Sequence, residues 1–361
     1  MPKACYIHIP FCKSKCNYCS FVSFCDIENI TRYIFSLLEE IQESYKGEKL
    51  NTLYLGGGTP SLVQPDLLKK IFDKFNLEQK AEITIEVNPD DCNYEYLLSL
   101  INIGFNRISI GAQTFNDKIL NLIGRRHNSK QIINTVNDAK NAGFENISLD
   151  LIYGLPTQTI NDITNDLNKF IQCNINHIST YGLKIEDGSF WGKMPPDDIP
   201  DIDSQADMYE EINKKLENSG FFRYEVSNYA KPEYESRHNL TYWNNEEYYG
   251  FGVSAHGYVD GIRYSNYCTI KEYFDYPTKH KYTKLITDKE RLEEEIFLGF
   301  RKTEGINVEK INEKFVIDFQ HKYEKILNKY QEYIIKTQKG YAFNMRGTML
   351  SNEILPEFLE D

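Results

Sequence analysis

The chain has 361 residues, with 41 Lys and Arg against 53 Asp and Glu, and a formal charge of −12. That balance, with no basic run, sets aside a nucleic-acid surface, and no stretch approaches the roughly 18 apolar residues of a membrane span. A hydrophobic share of 41% and an aromatic share of 14% suffice for one large packed domain and a smaller one.

The opening Met-Pro-Lys-Ala-Cys-Tyr lacks the charged-then-apolar build of a secretory signal, so a cytoplasmic protein is expected. Over the first 220 residues, short β-rich runs alternate with longer amphipathic ones. Strands are expected at 4–9, 51–55, 82–87, 106–110, 146–152 and 177–183. Helices are expected near 30–45, 65–75, 94–103, 117–123 with 130–142, 159–173 and 204–219, with Gly143 and Gly220 at helix ends. Such alternation implies parallel βαβ units with right-handed crossovers, in an open sheet or a partial barrel. Residues suited to chemistry stand just past nearly every strand: Cys12 to Cys19, the Gly-Gly-Gly-Thr-Pro of 56–60, Glu86 with Asn88, Gln113, Asp150 and Tyr181. A ring of loops at one face is the pattern of a β/α barrel, whereas an open sheet gathers its site at one switch point. The expected fold is therefore α/β, a partial (β/α)6 barrel over residues 1–220.

Residues 221–283 change character and read as an extension of the barrel, with a strand over 221–229. From 284 to 361 the pattern turns helical and Lys/Glu-laced, with helices at 290–300, 308–315 and 323–335 and short strands at 341–343 and 348–350. Helices followed by a small hairpin suggest a winged-helix-like domain. Its acidic surroundings favour a lid or docking module over a DNA reader.

Cys12, Cys16 and Cys19 stand as C-x-x-x-C-x-x-C with no fourth thiol close behind except Cys25. Eight cysteines are few for a disulfide framework, and clustered thiols point to a reducing compartment and a metal. Cubane clusters are normally held by four thiolates, and structural zinc by four Cys or His. Three thiols therefore mean either a zinc site closed by His8 or a cluster with one iron left open.

The thiol spacing resembles the signature of the radical S-adenosylmethionine (SAM) superfamily. Six segments in order extend the likeness over most of the chain and narrow it to the HemN/HemW group: Tyr6-Ile-His-Ile-Pro-Phe-Cys12, residues 56–60, Ile-Glu86-Val-Asn-Pro, Gly-Ala-Gln113-Thr-Phe, Asp150-Leu-Ile-Tyr-Gly-Leu-Pro and His238-Asn-Leu-Thr-Tyr-Trp243. The resemblance implies that Cys12, Cys16 and Cys19 hold a [4Fe-4S] cluster whose fourth iron is chelated by SAM. It places Tyr18 by the adenine, and Gly57, Gly58 and Thr59 as bare backbone against SAM. Glu86 falls on the ribose, Arg125 on SAM's carboxylate, Gln113 and Asp150 in the remaining polar ring, and Tyr6 on SAM near the cluster. Reductive SAM cleavage to a 5′-deoxyadenosyl radical follows as a capacity of the fold, fed by a low-potential electron donor.

HemN, the oxygen-independent coproporphyrinogen III oxidase, has a fourth cysteine where this chain has Phe21, and a longer segment before the first thiol. Both differences match the HemW branch, whose members are regarded as heme chaperones. The resemblance therefore implies heme as a third cofactor and apo-hemoproteins as partners, with peripheral membrane contact where the recipient is membrane-bound. It makes His238 the axial heme ligand, with His256 second; a neutral imidazole suits heme iron. The alternative activity is porphyrinogen decarboxylation.

Overall fold

Alternation along the first six strands decides which way each side chain faces. The computed structural model describes residues 1–359. Its first part runs β1 (Ala4–Ile9), α1 (Ile30–Ser44), β2 (Leu50–Gly57), α2 (Pro65–Phe72), β3 (Leu77–Val87), α3 (Tyr94–Ile103), β4 (Arg107–Gln113), α4 (Asp117–Leu122), α5 (Ser129–Ala142), β5 (Asn146–Tyr153), α6 (Ile160–Gln172) and β6 (His177–Gly182). One set of alternate positions is aliphatic and buried: Ile7 and Ile9, Leu53 and Leu55, Ile83 and Ile85, Ile108 and Ile110, Leu149 and Leu151. These pack in one core with Leu37, Leu68, Leu100, Val136 and Leu167 from the covering helices. Each contributes about 1.5–3 kcal/mol by leaving water. The other set, among them Tyr6, Tyr54, Thr84, Glu86, Ser109, Ser148, Asp150 and His177, is polar and faces the inside of the curve.

β1 to β6 pair in sequence, all parallel, and β1 does not meet β6. The expected partial barrel is therefore present, but its sheet is longer. After α7 (Phe190–Lys193) and α8 (Ile202–Glu217), β7 (Phe222–Arg223) and β8 (Asn228–Ala230) extend it past β6. Then come α9 (Arg237–Trp243), β9 (Tyr248–Phe251), β10 (His256–Val259), β11 (Ile262–Ser265), α10 (Ile270–Asp275) and β12 (Tyr282–Leu285). β9 joins β1 in parallel, and β10 to β12 follow antiparallel, giving twelve strands. The single strand expected over 221–229 is instead an antiparallel pair, β7 with β8, split by a turn that buries Glu225.

A second core, from Leu292 to Phe358, belongs to the C-terminal part. It contains α11 (Asp288–Gly299), β13 (Ile306–Asn307), α12 (Val308–Phe315), α13 (Phe319–Lys322), α14 (Glu324–Lys329), β14 (Ile334–Lys336) and β15 (Gly340–Phe343), with β15 between β13 and β14. Two expectations change here. The helix over 323–335 stops at Lys329, because Ile334 and Ile335 are drawn into pairing with Phe343 and Ala342. The strand over 348–350 is replaced by a helix, Met345–Met349, started by the Asn344 side chain accepting from Gly347 N. Among the described residues no helix is long and apolar enough to cross a membrane.

α9 closes the barrel end away from the catalytic-looking loops. Glu82, on β3, accepts from the backbone N–H of Arg237 and of His238, each at 3.0 Å. A carboxylate is well placed against a helix start, where amides lack partners and the dipole is positive. Replacing Glu82 by Ala strands those two donors, one buried and one part-buried, each costing about 1–3 kcal/mol unpartnered, so urea unfolding should show a loss of about 2–6 kcal/mol, with Glu82→Gln losing less.

Candidate functional site

The carboxyl ends of β1 to β6 open on a cavity of about 510 Å³. Its lining includes Cys12, Cys16, Tyr18, Cys19, Phe21, Gly57, Gly58, Thr59, Glu86, Gln113, Arg125 and Asp150. Residues spread over 138 positions thus meet at one mouth, as barrel topology requires.

The loop after β1 brings the three thiols together, close enough that each negative sulfur would disfavour the next. Burial raises the Cys12 and Cys19 thiols above their ordinary range, and Cys16 adds to both shifts. Among the described residues no three acidic, Cys or His side chains converge on one point as ligands of a single ion do. A four-iron cluster makes another demand: each thiolate meets its own iron, so the sulfurs surround a space. His8 is not a fourth ligand here, since its Nε2 bonds Val22 O at 2.8 Å and its Nδ1 meets Tyr6 Oη at 3.0 Å. The zinc alternative is thereby set aside.

Glycine is required in the loop after β2 by the protein itself. Gly57 has φ +112°, and a Cβ there would meet the His8 ring at 2.5 Å. A Cβ on Gly58 would meet Phe11 and Ile9 backbone at 2.7–2.9 Å. These glycines line the mouth, but it is the press of β2 against β1 that demands them. Thr59 Oγ1 sits 3.4 Å from Cys12 Sγ.

Glu86 is held by Tyr54 Oη at 2.7 Å and by Gly57 N at 3.0 Å. Burial nevertheless pushes its carboxyl up to about 7. Asp150 accepts from Ser109 Oγ at 3.1 Å and is likewise raised by burial, with Arg107 and Arg125 pulling the other way. Arg125 turns inward to Asn88 Oδ1 and Gly111 O, both at 2.6 Å, and to Cys16 Sγ at 3.6 Å. Its neighbour Arg126 takes the outer role, pairing with Asp90 and Asp91. Gln113 holds a left-handed backbone, φ +67°, at the end of β4.

Two expected site residues lie elsewhere. Tyr6 does not line the mouth; its ring is inside the barrel beside Tyr54 (6.1 Å) and His238 (6.5 Å). His238 is 1% exposed. Its Nδ1 meets Thr52 Oγ1 and its Nε2 meets Tyr242 Oη, both at 2.8 Å, and its ring stacks on Tyr54 at 5.0 Å. Burial drives its pKa down to about 3, so it is neutral, yet both nitrogens are engaged. As folded, both ring nitrogens are engaged by hydroxyls, and His238 acts as a plug holding α9 in the barrel.

Asn88, Ser109 and Tyr54 carry the network and had no assigned role. Asn88 shows a legible signal: it follows Glu86 by two, so the strand's period puts both on the inner face.

Residues 6–170 match the radical SAM superfamily and residues 286–340 match the HemN C-terminal domain. Across its whole length the chain is 40% identical to the heme chaperone HemW of Lactococcus lactis subsp. lactis, covering 98% of that protein. It is 37% identical to the Bacillus subtilis HemW, with 99% of each chain covered. The chain belongs to the HemW family of the radical SAM superfamily. Among solved structures, the coproporphyrinogen III oxidase HemN of Escherichia coli superposes with a TM-score of 0.87 over 98% of this chain and 89% of that one. At 22% identity this is a likeness of fold.

Glu86 makes the site titratable near neutrality. If Glu86 takes the ribose hydroxyls, as the family resemblance implies, its carboxyl, raised to about 7, would accept them poorly when protonated and well when ionised. Affinity for S-adenosylhomocysteine, followed by calorimetry, should therefore weaken as pH falls below about 7, approaching tenfold per unit, and level off above. Glu86→Gln should bind more weakly throughout and lose most of this slope.

Proposed function

We propose that this protein is a heme chaperone that holds a [4Fe-4S] cluster and SAM and passes heme to apo-hemoproteins. The observation that carries the reading is full-length relatedness to proteins of that function, at 40% and 37% identity. The mouth supports the cofactor part. Three thiols surround a space, carboxylates of Glu86 and Asp150 line its floor, and a guanidinium stands beside Cys16.

In this reading Cys12, Cys16 and Cys19 would hold the cluster, and the raised thiols of Cys12 and Cys19 would release protons on binding it. A cluster held there would supply one electron to the sulfonium of SAM, which would make a low-potential one-electron donor a second partner. Glu86 orients the ribose, Tyr18 covers the adenine, and Arg125 lies toward the carboxylate end of the nucleotide. Phe21, 66% exposed, stands at the rim where HemN is expected to carry its fourth cysteine, so this chain offers no thiol there.

Heme is placed outside the barrel. A cleft of about 750 Å³ lies between α9, β9, β11, β12 and α11. Tyr242, Trp243, Tyr248, Phe297 and Leu298 line it, with Arg263 and Lys284 among its polar groups. Large, mostly apolar clefts at domain junctions are usual ligand sites. Trp243 Nε1 is buried there without a partner. The His238–Trp243 segment thus meets heme through its aromatic end, while His238 faces the barrel.

Hemin titration tests this. Stoichiometric binding that survives desalting is expected, weakened about tenfold or more in Trp243→Ala. Full loss in His238→Ala with Trp243→Ala unaffected would move heme to the imidazole. Incubation with SAM, reductant and coproporphyrinogen III under anaerobic conditions should give no vinyl product; catalytic yield would overturn the chaperone reading in favour of an oxidase.

A further inference from the structure

Two of the three thiols are tied into one circuit of side chains. Thr59 Oγ1 lies 3.4 Å from Cys12 Sγ. Asn88 Nδ2 donates to Thr59 Oγ1 at 3.0 Å, and Asn88 Oδ1 accepts from Arg125 Nη2 at 2.6 Å. Arg125 Nη1 closes the circuit at 3.6 Å from Cys16 Sγ.

The direction of every proton in this circuit is fixed by chemistry. A guanidinium only donates, so the amide must turn its oxygen to Arg125 and its NH2 to Thr59. The Thr59 oxygen then accepts from Asn88, and its single proton is left to point at the sulfur of Cys12. Nη2 of Arg125 is occupied by Asn88 and by Gly111 O, which leaves Nη1 for Cys16. Asn88 therefore aims both donors at once. Thr59 is 2% exposed, so its hydroxyl does not trade these partners for bulk water.

Reduction adds negative charge to a cluster and its thiolates. Donors directed at the sulfurs stabilise the reduced form more than the oxidised one, and so raise the potential. We infer that Asn88 is a positioning residue that sets the cluster's reduction potential, by holding the Thr59 hydroxyl on Cys12 and the Arg125 guanidinium on Cys16. This rests on the cluster assignment above. Cys12 also meets the Ser23 hydroxyl, and Cys19 takes a backbone N–H from Phe21, so the circuit supplies part of the donor set.

The test is a redox titration of anaerobically reconstituted protein, with the reduced cluster followed by EPR. Asn88→Leu, which releases both donors, should shift the reduction equilibrium about tenfold toward the oxidised form, a fall of about 59 mV for a one-electron couple. Thr59→Val should shift it the same way by less, and Thr59→Ser, which keeps the hydroxyl, should hold the wild-type value. An unchanged potential in cluster-loaded Asn88→Leu and Thr59→Val overturns the inference. So does loss of the cluster from both while Thr59→Ser retains it, since the circuit would then serve assembly. Failure of the wild-type protein to assemble four irons is a separate result, and it sinks the cluster reading itself.

Discussion

A parallel sheet that curves without closing must solve one problem before any other: what to do with its inner face. In β1 to β6 that face is polar at nearly every level, from Glu82, Thr84 and Arg107 up to Glu86, Ser109 and Asp150. Buried polar groups are costly unless paired. The upper level leaves them for a ligand. The lower level needs an internal partner, and α9 supplies it. His238 enters the barrel between Tyr6 and Tyr54, bonds Thr52, and is anchored from below by Glu82. Without that helix the lower residues would need water, and the floor under the mouth would lose its support.

The same confinement governs charge. Glu86 and Asp150 are buried in one floor; burial raises both carboxyls, and Asp150 raises that of Glu86 further. Arg107 opposes the effect at both carboxyls and Arg125 at Asp150, without cancelling it. Arg107 is itself 2% exposed, with its Nε lacking a partner. In the proposed reading, a cationic sulfonium nucleotide above this floor would favour the ionised form of Glu86, which burial otherwise disfavours.

Much of this was legible in the sequence because the relevant signals are local. The strands of the barrel follow from period-two apolar runs, and the site follows from polar residues placed just past their ends. The thiol spacing needs no tertiary information. What was not legible depends on partners distant in the chain. Gly57 and Gly58 read as room for a ligand, whereas the atoms they avoid belong to His8, Phe11 and Ile9. Arg125 and Arg126 are adjacent cations, and only the fold shows which one turns inward. Residues 323–335 are apolar at helical spacing, yet Ile334 and Ile335 pair with β15, a choice made by a strand that follows them. The Asn344 cap, by contrast, was a local signal for a helix at 345 that the reading of a strand over 348–350 passed over.

The His238–Trp243 motif shows how one short segment can serve two environments. Residues 238–243 form less than two turns of helix, so their side chains split between two environments. His238 points into the barrel, and Trp243 looks out on the cleft. Tyr242 belongs to both: its ring lines the cleft and packs edge-on against Tyr248 at 4.6 Å, while its hydroxyl bonds His238 Nε2. From there the contacts continue through the stacked Tyr54 to Glu86 in the nucleotide floor. One short helix thus forms the wall between the cleft and the barrel interior. A closely packed wall of this kind has few ways to yield on one side alone. The demand for aromatic residues on its outer face and a doubly bonded imidazole on its inner face accounts for the His, Tyr and Trp at this spacing without any of them touching iron.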